Sequence, residues 1–351
     1  MKAPTAPAAL SPGKPAVVLR AGRLSFRVER RTVWVSLALG CAAFALGFAG
    51  LSYGTGWTAP SEVFAALFGQ GDSSLVITQW RAPRVAAALI FGASLGVAGA
   101  IFQNLTRNPL GSPDVIGLDE GAYTGALIAI TVFSGTAAAL AFSSVLGGLI
   151  AALAIYLLSL KTGFSGLRLV VIGIAVNAML VAVNSWIVLR AELEVAMAAT
   201  GWSVGSLNGI DWQDVLLPFV IIAVLFVLLY PQWTSLHQAA LGDEVAITSG
   251  VSLNRHRLVL VLIGVGCTAT VTAVAGPIIF VALAAPQIGR RLAGTPGVSL
   301  LPAALTGAVL LMAADLIAQW LLAPVSLPVG VVTTVIGGCY LIWLLVREVR
   351  R

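Results

Sequence analysis

From about residue 32 to its end the chain repeats one pattern: a long apolar run, then a short stretch bearing charge, proline or glycine. A membrane-crossing helix needs about 20 mostly apolar residues. Runs of that kind predict ten spans, at residues 32–53, 84–105, 117–134, 137–160, 168–189, 213–231, 257–275, 277–290, 299–322 and 328–346. They are far longer than the roughly 10 residues of an outer-membrane barrel strand, and strict alternation is absent. The predicted fold class is all-α, a polytopic membrane protein with about ten transmembrane helices.

The third and eighth spans are short, and Gly276-Pro277 and Pro286 interrupt the eighth. Broken spans are tolerated where protein or a water-filled cavity satisfies the freed backbone groups. Residues 58–70 and 191–207 carry a weaker amphipathic pattern, which predicts short helices on the outer surface. Residues 1–31, rich in Ala, Pro and basic side chains, predict a disordered cytoplasmic tail, and residues 32–351 a single ten-helix domain. No clear small-residue cleavage site follows the first apolar run, so it reads as a retained span rather than a removed signal peptide.

The chain is 59% hydrophobic and 10% charged, where a soluble domain is nearer a quarter charged. Its net charge of +6 does not point to nucleic acid, because the basic residues cluster at the ends of alternate spans. With the amino terminus inside, the inner side receives Lys2, Lys14, Arg20, Arg23, Arg27, Arg30, Arg31, Arg107, Lys161, Arg168, Arg255, Arg257, Arg290, Arg291, Arg347, Arg350 and Arg351. The outer side keeps Arg81, Arg84 and Arg190. That asymmetry predicts a multi-pass protein of the cytoplasmic (inner) membrane with both termini in the cytoplasm. Cys41, Cys267 and Cys339 lie inside apolar runs without CxxC spacing and read as packing residues. His237 and His256 flank a polar loop and build no metal cluster. The chain lacks GxxxxGK[ST], so it has no P-loop and is not expected to be an enzyme; ATP and Mg would sit on another subunit.

Five features carry candidate chemistry. Arg81 and Arg84 open the second span on the outer side, either as headgroup anchors or as planar forks for carboxylates of a docking partner. Gly92, Gly96 and Gly99 follow at small-xxx-small spacing, a face for close helix packing that is compatible with lining a pathway. The turn Asn108-Pro109-Leu110-Gly111-Ser112-Pro113 ends that span, as an ordinary loop or as a constriction at the cytoplasmic mouth with Asn108 and Leu110 as stoppers. Asp119-Glu120 then start the third span, as capping carboxylates or a cation site. The inner segment 237–257 has small and apolar residues at helical spacing, Ala239, Ala240, Val245 and Ala246 in one short helix ended by Gly250, and could offer a knob to a cytosolic protein. Asp315, deep in the ninth span, is either a proton relay or a structural acceptor.

These residues resemble a known family. WRAPRVAAALIFGASLGVAGAIFQNLTRNPLGSPDVIG is similar to the second and third spans of FecCD-type permeases, the membrane subunits of ATP-binding-cassette importers for ferric siderophores, haem and vitamin B12. LGDEVAITSGV, AGPIIFVALAAPQIGRRLAG, LLPAALTGAVLLMAADLIAQ and SLPVGVVTTVIGGCYLIWLL resemble later segments in the same order. The resemblance implies the type II importer permease fold and a second permease subunit, identical or paralogous. It also implies two cytosolic ATPase subunits below and an extracytoplasmic substrate-binding protein above. It assigns docking to Arg81 and Arg84, the inner gate to Asn108 and Leu110, and ATPase coupling to residues 241–253, including Leu241, Gly242, Asp243, Glu244, Ala246 and Gly250. The chain departs from the family pattern at Ser326, where Glu is common, at Gln319, where Arg is common, and at Gln287, where His is frequent. Asp119-Glu120 stand where small neutral residues are usual. The function so implied is translocation of an iron–siderophore complex by alternating access. Haem or cobalamin import is the alternative within the family, and a proton-coupled secondary transporter the alternative outside it.

Overall fold

The computed structural model describes residues 16–21, 24–54, 56–132, 136–160, 166–295, 297 and 299–349. Residues 1–15 of the predicted tail, and the inner-side charges Lys2, Lys14, Arg23, Lys161, Arg350 and Arg351, lie outside the described residues. Residues 16–21 and 24–29 of that tail correct the expectation of disorder. β1 (Ala16–Ala21) pairs antiparallel with β2 (Leu24–Glu29), Ala16 facing Glu29 and Ala21 facing Leu24. Val17, Val18, Phe26 and Val28 are strand-forming residues that the basic composition of the segment obscured.

Ten helices coincide with the ten predicted spans. They are α1 (Arg30–Ser52), α3 (Ala82–Thr106), α5 (Leu118–Val132), α6 (Ala137–Leu160), α7 (Gly166–Arg190), α9 (Trp212–Leu229), α12 (Leu253–Ala275), α13 (Val281–Ala293), α14 (Leu300–Leu321) and α15 (Val329–Val349). Seven of the described helices are long and apolar enough to cross a membrane by length and composition; α5, α13 and α15 fall outside that set. Short helices also form in the two amphipathic stretches, α2 (Pro60–Leu67) and α8 (Leu193–Ser203). Short pieces α4 (Pro113–Ile116), α10 (Trp233–Ala240) and α11 (Asp243–Thr248) complete the chain.

α3 is the axle of the fold. A π-helical turn, Val76–Arg81, extends it outward beyond the predicted start at residue 84, and it packs against α1, α12, α13 and α14. Its glycines make this possible. A methyl on Gly92 would strike the backbone of Gly307, one on Gly96 the carbonyl of Ala303, and one on Gly99 the carbonyl of Ala282. The small-residue stripe therefore brings α14 and α13 to backbone contact with α3, the geometry that small-xxx-small spacing permits.

The eighth predicted span is half helix. α12 stops at Ala275 because Gly276 adopts φ +70° and Pro277 brings no N–H. Residues 276–280 run irregularly, Phe280 holds φ 71°, and only then does α13 begin. A bulky residue at positive φ is an outlier. Here the Asp114 carboxylate accepts the Phe280 amide at 2.9 Å and fixes it.

Candidate functional site

At the amino-terminal end of α3 the two arginines are not free forks. Arg81 Nη1 donates to the Leu51 carbonyl and to Thr58 Oγ1, each at 2.9 Å, pinning the end of α1 and the segment before α2. Arg84 reaches Asp315 on α14 with Nε at 3.1 and 3.0 Å from the two carboxylate oxygens and Nη2 at 2.8 Å from Oδ1. Gln319 Nε2, one turn along α14, donates to Oδ2 at 2.8 Å. The Arg84 side chain is 16% exposed and that of Asp315 is fully buried. This corrects the expectation that Arg84 is an outward charge, and it gives Asp315 a cationic partner that spacing did not reveal. The Asp315 oxygens thus accept from three donor atoms, two on Arg84 and one on Gln319.

At the carboxyl-terminal end, Arg107 closes α3 in the left-handed conformation, φ 50°. The turn that follows is built rather than loose. Asn108 Oδ1 accepts the Leu110 amide at 2.9 Å, and Gln287 Nε2 on α13 donates to the Pro109 carbonyl at 2.8 Å. Asn108 thus holds the turn, while Leu110 faces the large cavity described below.

Beside this turn lies the inner segment. The single short helix predicted there is two, α10 and α11, because Gly242 at φ +131° turns the chain between them; Gly250 at φ +86° ends the second, as expected. Asp243, the first residue of α11, is the hub. It accepts from Arg107 Nη2 at 2.6 Å and from Arg257 Nη2 on α12 at 2.8 Å. Partial burial alone would raise its pKa, but the two guanidiniums outweigh that and hold it below the usual carboxylate value. Arg107 also donates to the Ala239 carbonyl. The end of α3, the two short helices and α12 are therefore tied at one carboxylate. Leu241, Val245 and Ile247 stand exposed around it, whereas Ala246 is buried and anchors α11 instead of offering a contact.

A cavity of about 930 Å³ runs along α5, α7 and the irregular stretch before α13. Leu110 of the proline-rich turn borders it at one end, and Thr200 and Ser203 of α8 at another. This chain encloses it only in part. Its polar groups include Asp114, Asp119, Glu120, Asn177, Asn184 and Ser112, among apolar walls such as Val181, Val188, Ile279 and Phe280. Glu120 Oε2 accepts from Asn184 Nδ2 at 2.9 Å, and Thr124 Oγ1 donates to Asn184 Oδ1 at 2.7 Å. The sequence alone read Asp119-Glu120 as capping carboxylates or a cation site and Ser112 only as part of the proline-rich turn; it missed Asp114, whose only signal was a place beside that turn. No group of three His, Cys, Asp or Glu able to hold a metal occurs among the described residues.

Comparison with known proteins agrees with this layout. The chain is 47% identical over 326 residues to the ferric enterobactin transport system permease protein FepG of Escherichia coli (strain K12), covering 92% of this chain and 99% of that protein. It is 35% identical over 313 residues to the iron(3+)-hydroxamate import system permease protein FhuG of Bacillus subtilis (strain 168), covering 86% and 93%. A solved metal-chelate type ABC transporter in an inward-facing conformation superposes with a TM-score of 0.76 at 25% identity, covering 90% of this chain and 99% of that one. The FecCD transport family model matches residues 42–347, and the chain, a multi-pass membrane protein, belongs to that family.

Proposed function

We propose that this chain is the permease subunit of an ATP-binding-cassette importer and carries an iron–siderophore complex across the cytoplasmic membrane by alternating access. The observation that carries the reading is the cavity between Leu110 and α8. It reaches from the inner turn toward the outer surface, its volume lies at the upper end of small-molecule sites, and it needs a second wall. A second permease subunit, identical or paralogous, supplies that wall, so the path lies between two such chains.

ATP is hydrolysed on two cytosolic subunits that seat against Leu241, Val245 and Ile247. Their movement reaches the Leu110 turn through Asp243 and Arg107. An extracytoplasmic binding protein docks on the opposite side, where Arg81, only partly covered, meets an acidic residue of that protein. Both termini face the cytoplasm. Substrate and nucleotide act by shifting the balance between outward- and inward-open states.

The test is reconstitution of the chain with its ATPase and binding protein in liposomes. Uptake of radio-iron siderophore is expected only with internal ATP and is expected to survive collapse of the proton gradient. Uptake that follows the proton gradient and ignores ATP would refute the reading.

A further inference from the structure

A second pocket, of about 180 Å³, opens at the carboxyl-terminal end of α3. Arg107, Asn108 and Pro109 line it where α3 ends, Ala240 from α10, Arg290 from α13, and Ser299 from just before α14. No lining residue is Asp or Glu. Arg107 commits only Nη2, to Asp243 and to the Ala239 carbonyl. Arg290 is exposed and makes no ion pair among the described residues. Asp243 lies outside the lining and also serves Arg257, so the wall keeps a net positive charge.

A second observation is independent of the arginines. Ser299 is 8% exposed, and its hydroxyl bonds neither the first turn of α14 nor any other described residue. It is not sealed either: its oxygen stays open to the pocket that Ser299 lines. Buried hydroxyls are ordinarily satisfied. This one is placed to donate to an oxygen that enters the pocket, and the uncapped amino terminus of α14 favours negative charge on that oxygen.

We propose that this pocket receives a carboxylate side chain of the cytosolic ATPase, gripped by Arg290 and Arg107 and bonded by the Ser299 hydroxyl. The proposal rests on the import reading above and adds a charged seat to it. The pocket is smaller than the roughly 300–1,000 Å³ of small-molecule sites, and a planar carboxylate matches guanidinium forks. Continuity makes the ATPase the source. Ala240 adjoins Leu241, the first of the exposed apolar residues on which the ATPase seats, and Arg107 is tied to Asp243 of the same segment. The occupant also meets Asn108 and Pro109, which carries the ATPase movement to the Leu110 turn directly as well as through Asp243.

The experiment measures the affinity of the importer's purified ATPase for the permease in nanodiscs, without binding protein. Arg290→Glu is expected to lower it about tenfold or more, Arg290→Lys to keep it within about threefold, and Ser299→Ala to lower it about threefold. Reversing the acids of the ATPase's permease-facing surface to Lys, one at a time, is expected to find one that weakens binding to the unaltered permease and restores binding to Arg290→Glu. Unchanged affinity in Arg290→Glu, or a loss that no reversed acid restores, would overturn the proposal. So would a site for a small anion: inorganic phosphate, against chloride at equal ionic strength, raising the melting temperature of the permease alone through Arg290 while ATPase affinity ignores that residue. Should Arg290→Glu not fold, added salt must weaken ATPase binding more steeply in the unaltered permease than in Arg290→Gln, and equal salt slopes overturn the proposal. ATPase binding indifferent to position 290 sinks only this proposal, whereas an ATPase that does not bind the unaltered permease sinks the import reading.

Discussion

Arg84 and Asp315, 231 positions apart in sequence, form a bidentate ion pair that locks the amino-terminal end of α3 to α14. Removing one partner of a buried pair strands the other, which costs about 3–5 kcal/mol, whereas replacing both by apolar residues is often neutral. Arg84→Met and Asp315→Leu are each expected to lower the unfolding temperature of the purified protein sharply, and the double substitution to recover most of the loss. A melting temperature untouched by Asp315→Leu alone would show that the pair is not structural.

The glycine stripe gives a second contrast. Gly96→Val forces side-chain atoms into the Ala303 backbone and is expected to abolish accumulation of folded protein, since overpacking typically costs 1–3 kcal/mol or more. Gly40→Ala in α1 meets nothing within 4 Å and is expected to be neutral or stabilising by about 0.5–1 kcal/mol. Expression level and thermal unfolding report both.

Asp243 is half exposed, so its two ion pairs contribute little to stability. Asp243→Ala should leave the melting temperature nearly unchanged but separate ATP hydrolysis from uptake in the reconstituted importer. Fully coupled transport in this variant would remove Asp243 from the coupling path.

The same residue sets a pH expectation. A carboxylate whose folded pKa is depressed contributes its stabilisation above the unfolded value, near 3.9, and loses it as pH falls through the lower folded value. The Arg107–Asp243–Arg257 tie is therefore expected to be constant from neutral pH down to about 4 and to break only below that. Coupling in the unaltered importer that decays between pH 7 and 5 would contradict it.

For docking, Arg81→Glu should weaken association of the binding protein with the permease by about tenfold or more, the scale of a lost charge pair turned repulsive. Its bonds to Leu51 and Thr58 mean that Arg81→Ala serves as the control for loss of local packing. Equal affinity in Arg81→Glu and Arg81→Ala, both near that of the unaltered chain, would leave docking to other residues.

The hydrophobic pattern by itself determined the all-helical class, the order of the ten spans, the short helices α2 and α8, and the break near Gly276-Pro277. Burial in a membrane is written locally, residue after residue, and prolines and positive-φ glycines act on their own neighbours. Spacing also showed that Gly92, Gly96 and Gly99 pack, though not that Ala303, Gly307 and Ala282 are what they meet. Composition misled in the tail, where charge hid the strand-forming residues of β1 and β2.

What only the tertiary structure decided is which distant groups share an environment. Arg84 faces Asp315 instead of solvent, Asp243 joins Arg107 to Arg257, and Ser112, Asp114, Asp119 and Glu120 line one cavity with α7 and Phe280. A charge on a helix has the same sequence signature whether it meets water, lipid headgroups or a counter-ion. Its meaning is fixed by the side chain brought opposite it, and that choice is made by the packing of α3 against its neighbours, not by any spacing along the chain.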